Sequence, residues 1–573
     1  MATLHFTTNA DSGTGSLRAT IAGASDGDVI QPDATVFDRA TTVVVALAST
    51  LTVSKAVTID GGANRIRLSG YNIARCCTAS AVATFRNIDF VGGGVNPETG
   101  AQVGTPSGAG LQATASVTCE RCGFYGCSGS YGGGIIGGSS ATVSLDSCVV
   151  AGCRATNGGG VRIAGSAIIK NTTFAGNVAT NASGIDDVLA DAAATSVVVE
   201  NTILHEKSAS VALSAGCVAV DASTVGFVAP PPAGYDSNSW VYNAWENWNL
   251  RLNDDASSFP SPYRDAGDVG AMSPFDADGN FRGRVSDGVA TCSPGAYETI
   301  QADLFLVSGA AASFANAGSW AVSRFATTGG ATAPQSDQTL FVGQSGAFVD
   351  AAPSGANIVV SGGVVATFPT IDGGLTAGVG AGVSLAGTLA TARLADFSAL
   401  TTTGNTALGP VGFVGASATI DAASVSAIDG VVFAEVDQPA TITPFGSGGW
   451  ANVAAEATAV DLAPSDSTVS VTIAKNNASV AAFAQISVDD GATWSQIATT
   501  ASGAVFDVPV PRGASVAVRV AVTGGWLTAY TSTAPFAPVW QVTNSTESYS
   551  VVSNCFEVGA EGSNSGFISS GSF

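Results

Sequence analysis

Side chains that move protons near neutral pH are scarce here: the 573 residues include two histidines, His5 and His205. The stretch with most chemical content is Asp186-Asp187, followed by His205 and Lys207. Two or three carboxylates, one of them kept protonated, with a histidine and a lysine nearby, are what hydrolysis of a polysaccharide needs. Asp186, Asp187 and His205 are therefore the candidate catalytic residues if the chain is an enzyme. Against that reading, neighbouring strand residues point to opposite faces, so the two carboxyls converge only in a turn or bulge. A lyase needs acids for calcium and a basic residue. Asp254-Asp255 and Asp265-x-x-Asp268 supply acids, but in turn-rich segments where Asp caps turns.

Two other groups carry binding chemistry. Trp240, Trp245 and Trp248 follow a Pro-Pro-Pro run and can form a sugar-stacking platform, which makes them the candidate binding residues. The preferred alternative is that they cover the exposed end of a coil, since aromatic side chains bring large buried area to any cap. Most of the ten cysteines fall between Cys76 and Cys153. Buried thiols are the preferred state, because free Cys behaves as a small hydrophobe; bridges between rungs are the alternative. Cys119-x-x-Cys122 has no second pair or histidines at ligand spacing, so no metal site is assigned. No phosphate-binding loop or Ser/His/Asp triad is present, and no cofactor is expected.

These groups are positioned by a repeating pattern. Arg121-Cys122-Gly123-Phe124-Tyr125-Gly126-Cys127, Ser147-Cys148-Val149-Val150-Ala151-Gly152-Cys153 and Asn171-Thr172-Thr173-Phe174-Ala175-Gly176-Asn177 recur at steps of 26 and 24 residues. Weaker copies begin at Asn87 and Asn201. In each, a small or apolar residue (Ile88, Cys122, Cys148, Thr172, Thr202) stands two places before a larger one (Phe90, Phe124, Val150, Phe174, Leu204), the inward spacing of a strand. Gly132-Gly133-Gly134 and Gly158-Gly159-Gly160 supply turns. One such coil cannot bury its apolar face alone, so the pattern predicts a stacked parallel β-helix.

Composition sets the outer limits. Hydrophobic residues at 46% exclude a disordered chain, and a net charge of −23 argues against nucleic acid or an anionic bilayer as partner. No apolar run reaches the length of a membrane-spanning helix, so no membrane insertion is expected. The opening Met1-Ala-Thr-Leu-His-Phe-Thr-Thr lacks the form of a secretory signal.

Asp11-x-Gly-x-Gly15-Ser16-Leu17-Arg18, Gly27-Asp28-x-Ile30, Leu51-Thr-Val53 and Val57-Thr-Ile59-Asp60-Gly61 resemble the opening of bacterial right-handed β-helix surface proteins with a choice-of-anchor Q domain. Ser261-Pro-Tyr-Arg-Asp265-Ala-Gly267-Asp268, Asp278-Gly279-Asn280-Phe-Arg282 and Gly295-Ala-Tyr297-Glu298 resemble that family's close. The resemblance covers about the first 300 residues and implies a right-handed β-helix with a surface role. Within it, Ser16–Ala24 reads as a short helix, Leu17 and Ile21 on one face, capping the first coil.

The expected fold is all-β: a right-handed parallel β-helix over 1–300, a second β-solenoid or β-sandwich unit over 301–460, an Ig/fibronectin-III-like β-sandwich over 461–537 and a tail over 538–573. Ala317-Gly-Ser-Trp320 resembles the segment opening autotransporter-like β-solenoid repeats. Ser487-Val-Asp489-Asp-Gly491-Ala-Thr493-Trp494 has the Asp-box form, read as a hairpin turn. The function expected is a non-enzymatic structural or attachment protein, on a virion (tail fibre, spike or decoration) or a cell surface. A polysaccharide-degrading enzyme and a secreted adhesin are the alternatives. Without a visible export signal, a virion is favoured. The partners expected are other virion or surface structural proteins, a surface polysaccharide and further copies of the chain.

Overall fold

The computed structural model describes residues 2–205 apart from 40 and 182–183, parts of 209–229, residues 249–298 and 302–421 with short gaps, and from 425 to 554 the strands alone. The chain divides into two compact units, Met1–Gln301 with Val322–Ala326, and Ala302–Ala321 with Thr327–Phe573.

The first unit is a parallel β-helix. Each coil gives one strand to each of three parallel sheets: Val117–Glu120, Gly123–Tyr125 and Ile135–Gly137 form one coil, and Thr142–Asp146, Val149–Ala151 and Val161–Ile163 the next. The first and third of the sheets met along a coil's chain, those of Val117–Glu120 and Ile135–Gly137, hold eight and six strands; the second, that of Gly123–Tyr125, holds eight. The inward ladder expected from the rungs is present. Phe124 pairs in register with Phe90 and Val150, and Phe174 with Val150 and Leu204. All five side chains are fully buried, and the Phe90 and Phe124 rings stack 4.8 Å apart.

Between the first and second sheets the chain turns a tight corner through one left-handed residue per coil: Asn87, Arg121, Ser147, Asn171 and Asn201, with φ between 45° and 55°. Asn visits this region more readily than most residues, because its short polar side chain can bond locally. The next residue repeats a hydrogen bond. Cys122, Cys148, Thr172 and Thr202 each donate from Sγ or Oγ1 to the carbonyl two residues back. The position carries a small side chain with one donor in these four coils, Cys in two and Thr in the next two, whereas Ile88 occupies it one coil earlier. The second corner follows the second sheet at Gly92, Gly126, Gly152 and Gly176, with φ from 58° to 65°.

The open N-terminal end is capped as expected. The helix Leu17–Gly23 starts at Ser16, whose hydroxyl accepts from the Ala19 N–H, and buries Leu17 and Ile21 in the coil interior.

The second unit starts as a narrower solenoid with two parallel sheets. Leu340, Ile358, Leu375 and Ala392 stack in register 17 or 18 residues apart, while Val365–Phe368, Gly382–Leu385 and Ala399–Thr402 form the facing sheet. Trp320 is buried there with Phe314, Phe348 and Phe368, its Nε1–H donating to the Ser313 carbonyl. The solenoid alternative for 301–460 is thus the one adopted.

Two boundaries differ from expectation. The antiparallel strands Ser467–Lys475, Ala482–Ser487, Ala504–Val510 and Ser515–Thr523 are present, but they extend the two solenoid sheets and do not form sheets of their own. Trp450–Thr458 is the junction, pairing parallel with Val425–Ala434 on one side and antiparallel with Ser515–Thr523 on the other. The tail expected over 538–573 is also corrected in part: Pro538–Asn544 and Ser548–Asn554 are strands paired antiparallel. Their Val, Thr, Trp and Tyr residues suit a sheet despite the Ser/Asn-rich surroundings. Ala482–Ser487 pairs antiparallel with Ser495–Thr499, as an Asp-box hairpin requires; the turn itself lies outside the described residues.

Candidate functional site

The left-handed corner residues form a polar ladder on the surface of the coil, and a segment near the end of the first unit is laid along it. Asn201 donates to the Asp268 carbonyl and accepts from the Asp268 N–H. One coil further, Asn171 Nδ2 donates to the Ala271 carbonyl (3.1 Å) and the Ser273 hydroxyl (2.7 Å). Next, Ser147 Oγ donates to the Phe275 carbonyl (2.8 Å), and the Arg121 guanidinium lies over the Phe275 ring. Arg65 Nη1 then reaches the Ala277 carbonyl. Residues 268–277 therefore run across the strands as a strap, advancing about one coil for every two or three residues.

The strap is held in shape by buried charge. Asp276 accepts from the backbone N–H groups of Asp278, Asn280 and Glu298. The Arg282 side chain has no exposed surface and donates to four carbonyls, of Phe275, Ser293, Gly295 and Ala296, with Glu298 at 3.9 Å. Gly295 sits at φ 85° against the second sheet, where a Cβ would lie 2.6 Å from Ile203 Cδ1, so a side chain is excluded. Ala296 N–H donates to Thr173 Oγ1, and an apolar layer of Val149, Ala151, Ala175, Ile203, Leu250 and Ala277 is closed beneath. Burial pushes the hydroxyls of Tyr125 and Tyr297 up, so both stay protonated beside the Arg65–Asp89 and Arg251–Asp278 pairs.

The opening segment is used in the same way. Arg18 bonds Asp11 and the carbonyls of Ser49 and Thr50. Asp28 accepts from the N–H groups of Ser25 and Ala2, and these two bonds hold its carboxyl below the usual range. The residues quoted above as opening and closing motifs thus hold backbone in place at both ends of the β-helix.

The candidate catalytic residues are largely withdrawn from solvent. Asp186 is half-buried and accepts from the Ala179 N–H. Asp187, its neighbour, is fully buried and accepts from Asn177 Nδ2 at 2.9 Å; both acids lie in a bend just before the strand Val188–Ala190, where strand alternation does not apply. His205 is 1% exposed and follows the last ladder residue, its N–H bonded to the Phe174 carbonyl. Lys207, Asp254, Asp255 and the candidate binding residues Trp240, Trp245 and Trp248 lie outside the described residues. Asp268 caps a turn as expected, accepting from Gly270 N–H at the start of the 3-10 helix Val269–Ala271.

The nine described cysteines are free thiols. Those between Cys76 and Cys153 are all buried in the coil interior, as the preferred reading held. Burial pushes the Cys77 thiol up to about 12. Among the described residues, no His, Cys, Asp and Glu side chains are grouped to hold a metal ion, and no helix is long and apolar enough to cross a membrane.

The corner ladder and its strap were not read from the sequence as a site. The available signal was Asn at the same place before three rungs, Asn87, Asn171 and Asn201, disguised by Arg121 and Ser147 in the coils between. Comparison with family models, with curated proteins and with solved structures gives no match to this chain.

Proposed function

We propose that this protein is a non-enzymatic structural or attachment protein, carried on a virion as a fibre, spike or decoration, or on a cell surface. The observation that carries the reading is the use to which the polar residues of the first unit are put. Its motif acids, arginines and asparagines are engaged by backbone or by each other along the corner ladder and strap. A catalytic centre needs carboxyls of opposed proton affinity facing one substrate, whereas Asp187 is fully buried and Asp186 is half-buried and bonded to the Ala179 N–H. Long stacked coils suit a rod that presents surface at a distance from its base. The partners that fit are neighbouring structural proteins, further copies of the chain and a surface polysaccharide. A kinship with the choice-of-anchor Q surface proteins belongs to the same proposal and rests on the opening and closing motifs.

Immunogold electron microscopy with antibody against the purified chain tests the location. The expected result is label on assembled particles or on the outer face of cells. Label confined to the cell interior, with particles and surfaces bare, would overturn the proposal.

A further inference from the structure

We propose that the interior thiols form two three-membered ladders, Cys119/Cys122/Cys148 and Cys76/Cys127/Cys153, and that folding in the presence of a low-molecular-weight disulfide sets one disulfide in each, always through the central cysteine. Cys122 is in side-chain contact with both Cys119 and Cys148, and Cys127 with both Cys76 and Cys153. The central residue and one neighbour lie in register on adjacent coils: Val149 N–H bonds the Cys122 carbonyl at 2.9 Å, and Arg154 N–H bonds the Cys127 carbonyl at 2.8 Å. In-register neighbours on adjacent strands are about 4.8 Å apart, inside the Cα separation of about 4.4–6.8 Å that a disulfide spans.

The coil interior leaves room for the sulfurs. A Cβ at Gly110 would stand 3.3 Å from Cys127 Sγ, and one at Gly134 would stand 3.4 Å from Cys153 Sγ. At Gly70 it would come within 2.5 Å of Cys76 Sγ. The six thiols have no exposed surface, so a reagent reaches them only while the coils are open. The crosslink is therefore set during folding and protected afterwards.

The chemistry balances as two exchanges. The central thiol loses its proton to solvent, and its sulfur attacks the small disulfide, expelling one small thiolate and leaving a mixed disulfide. The neighbouring thiol, deprotonated in turn, attacks the protein sulfur of that intermediate and expels the second small thiolate. The protein loses two electrons and two protons, and the small disulfide is reduced to two thiols. Three thiols per ladder allow one bond and leave one thiol over. The in-register pairs Cys122–Cys148 and Cys127–Cys153 are the favoured bonds, joining one coil to the next. Cys119 and Cys76 are the reserve partners.

The test refolds the full chain from denaturant with oxidised and reduced glutathione, alkylates the remaining thiols and maps linked peptides by mass spectrometry. Wild-type protein is expected to give Cys122–Cys148 and Cys127–Cys153, with unfolding in guanidinium slowed at least about tenfold relative to the reduced protein. Cys148→Ala is expected to shift the first bond to Cys119–Cys122, and Cys122→Ala to abolish it while the second ladder still crosslinks. Full alkylation of all six thiols in the refolded wild type would overturn the proposal, as would a Cys119–Cys148 bond in Cys122→Ala. If Cys122→Ala does not fold, the wild-type map and Cys148→Ala decide.

Discussion

Asn171 is where the corner and the strap meet, and it makes two separable contributions. Its backbone adopts φ 49°, and its side chain bonds Ala271 and Ser273. Asn171→Ala incurs both losses, about 1–2 kcal/mol for the left-handed backbone and about 1–3 kcal/mol for the buried partners left behind. Asn171→Gly is expected to recover the first and not the second. Denaturant midpoints of the three proteins check this; equal losses for Ala and Gly would mean the backbone angle is unimportant. Asp350 offers a pH test in the second unit. Burial pushes its carboxyl up, but hydrogen bonds from the Ala315 N–H, the Ser313 hydroxyl and the Phe314 N–H outweigh burial and hold it below the usual range. A depressed carboxylate contributes stability above its ordinary pKa, near about 4, that is lost as pH falls through the folded value. Thermal melts of Asp350→Asn are therefore expected to show a smaller fall in Tm between about pH 5 and about pH 2 than wild type.

At the scale of elements, the Phe90-to-Leu204 ladder and the strap answer for different kinds of stability. Phe124→Ala or Phe174→Ala removes a fully buried ring from a filled interior and is expected to cost about 3–5 kcal/mol in chemical denaturation. A loss below about 1 kcal/mol would mean the ring is not confined. The ladder was legible in the sequence because inward strand residues recur at a nearly fixed step, and the period survives the Asn96–Ser107 loop. The strap was not legible. It is irregular backbone with no period of its own, and its partners on the ladder lie between 67 and 212 residues away in sequence, from Asn201–Asp268 to Arg65–Ala277. Arg282→Ala is expected to release it: four buried carbonyls lose their donor, and limited proteolysis is expected to cut within 268–298 before it cuts the coils. Cleavage first within the coils would contradict that order.

For the whole molecule, the sequence carried the fold class and less of the rest. The junction at Trp450–Thr458 escaped because a strand pairing parallel on one edge and antiparallel on the other has no local sequence mark. The burial of the candidate catalytic trio was not legible either: only the fold withdraws Asp187 and His205 from solvent. The central claim, that the coils hold and present and do not cut, is tested most directly by incubating the purified full-length chain with pectic, alginate and host-surface polysaccharides and measuring reducing ends and unsaturated products. The account predicts neither product above the buffer control. Turnover that disappears in Asp186→Asn, a variant whose altered side chain is half-buried and outside the inward ladder, would contradict it.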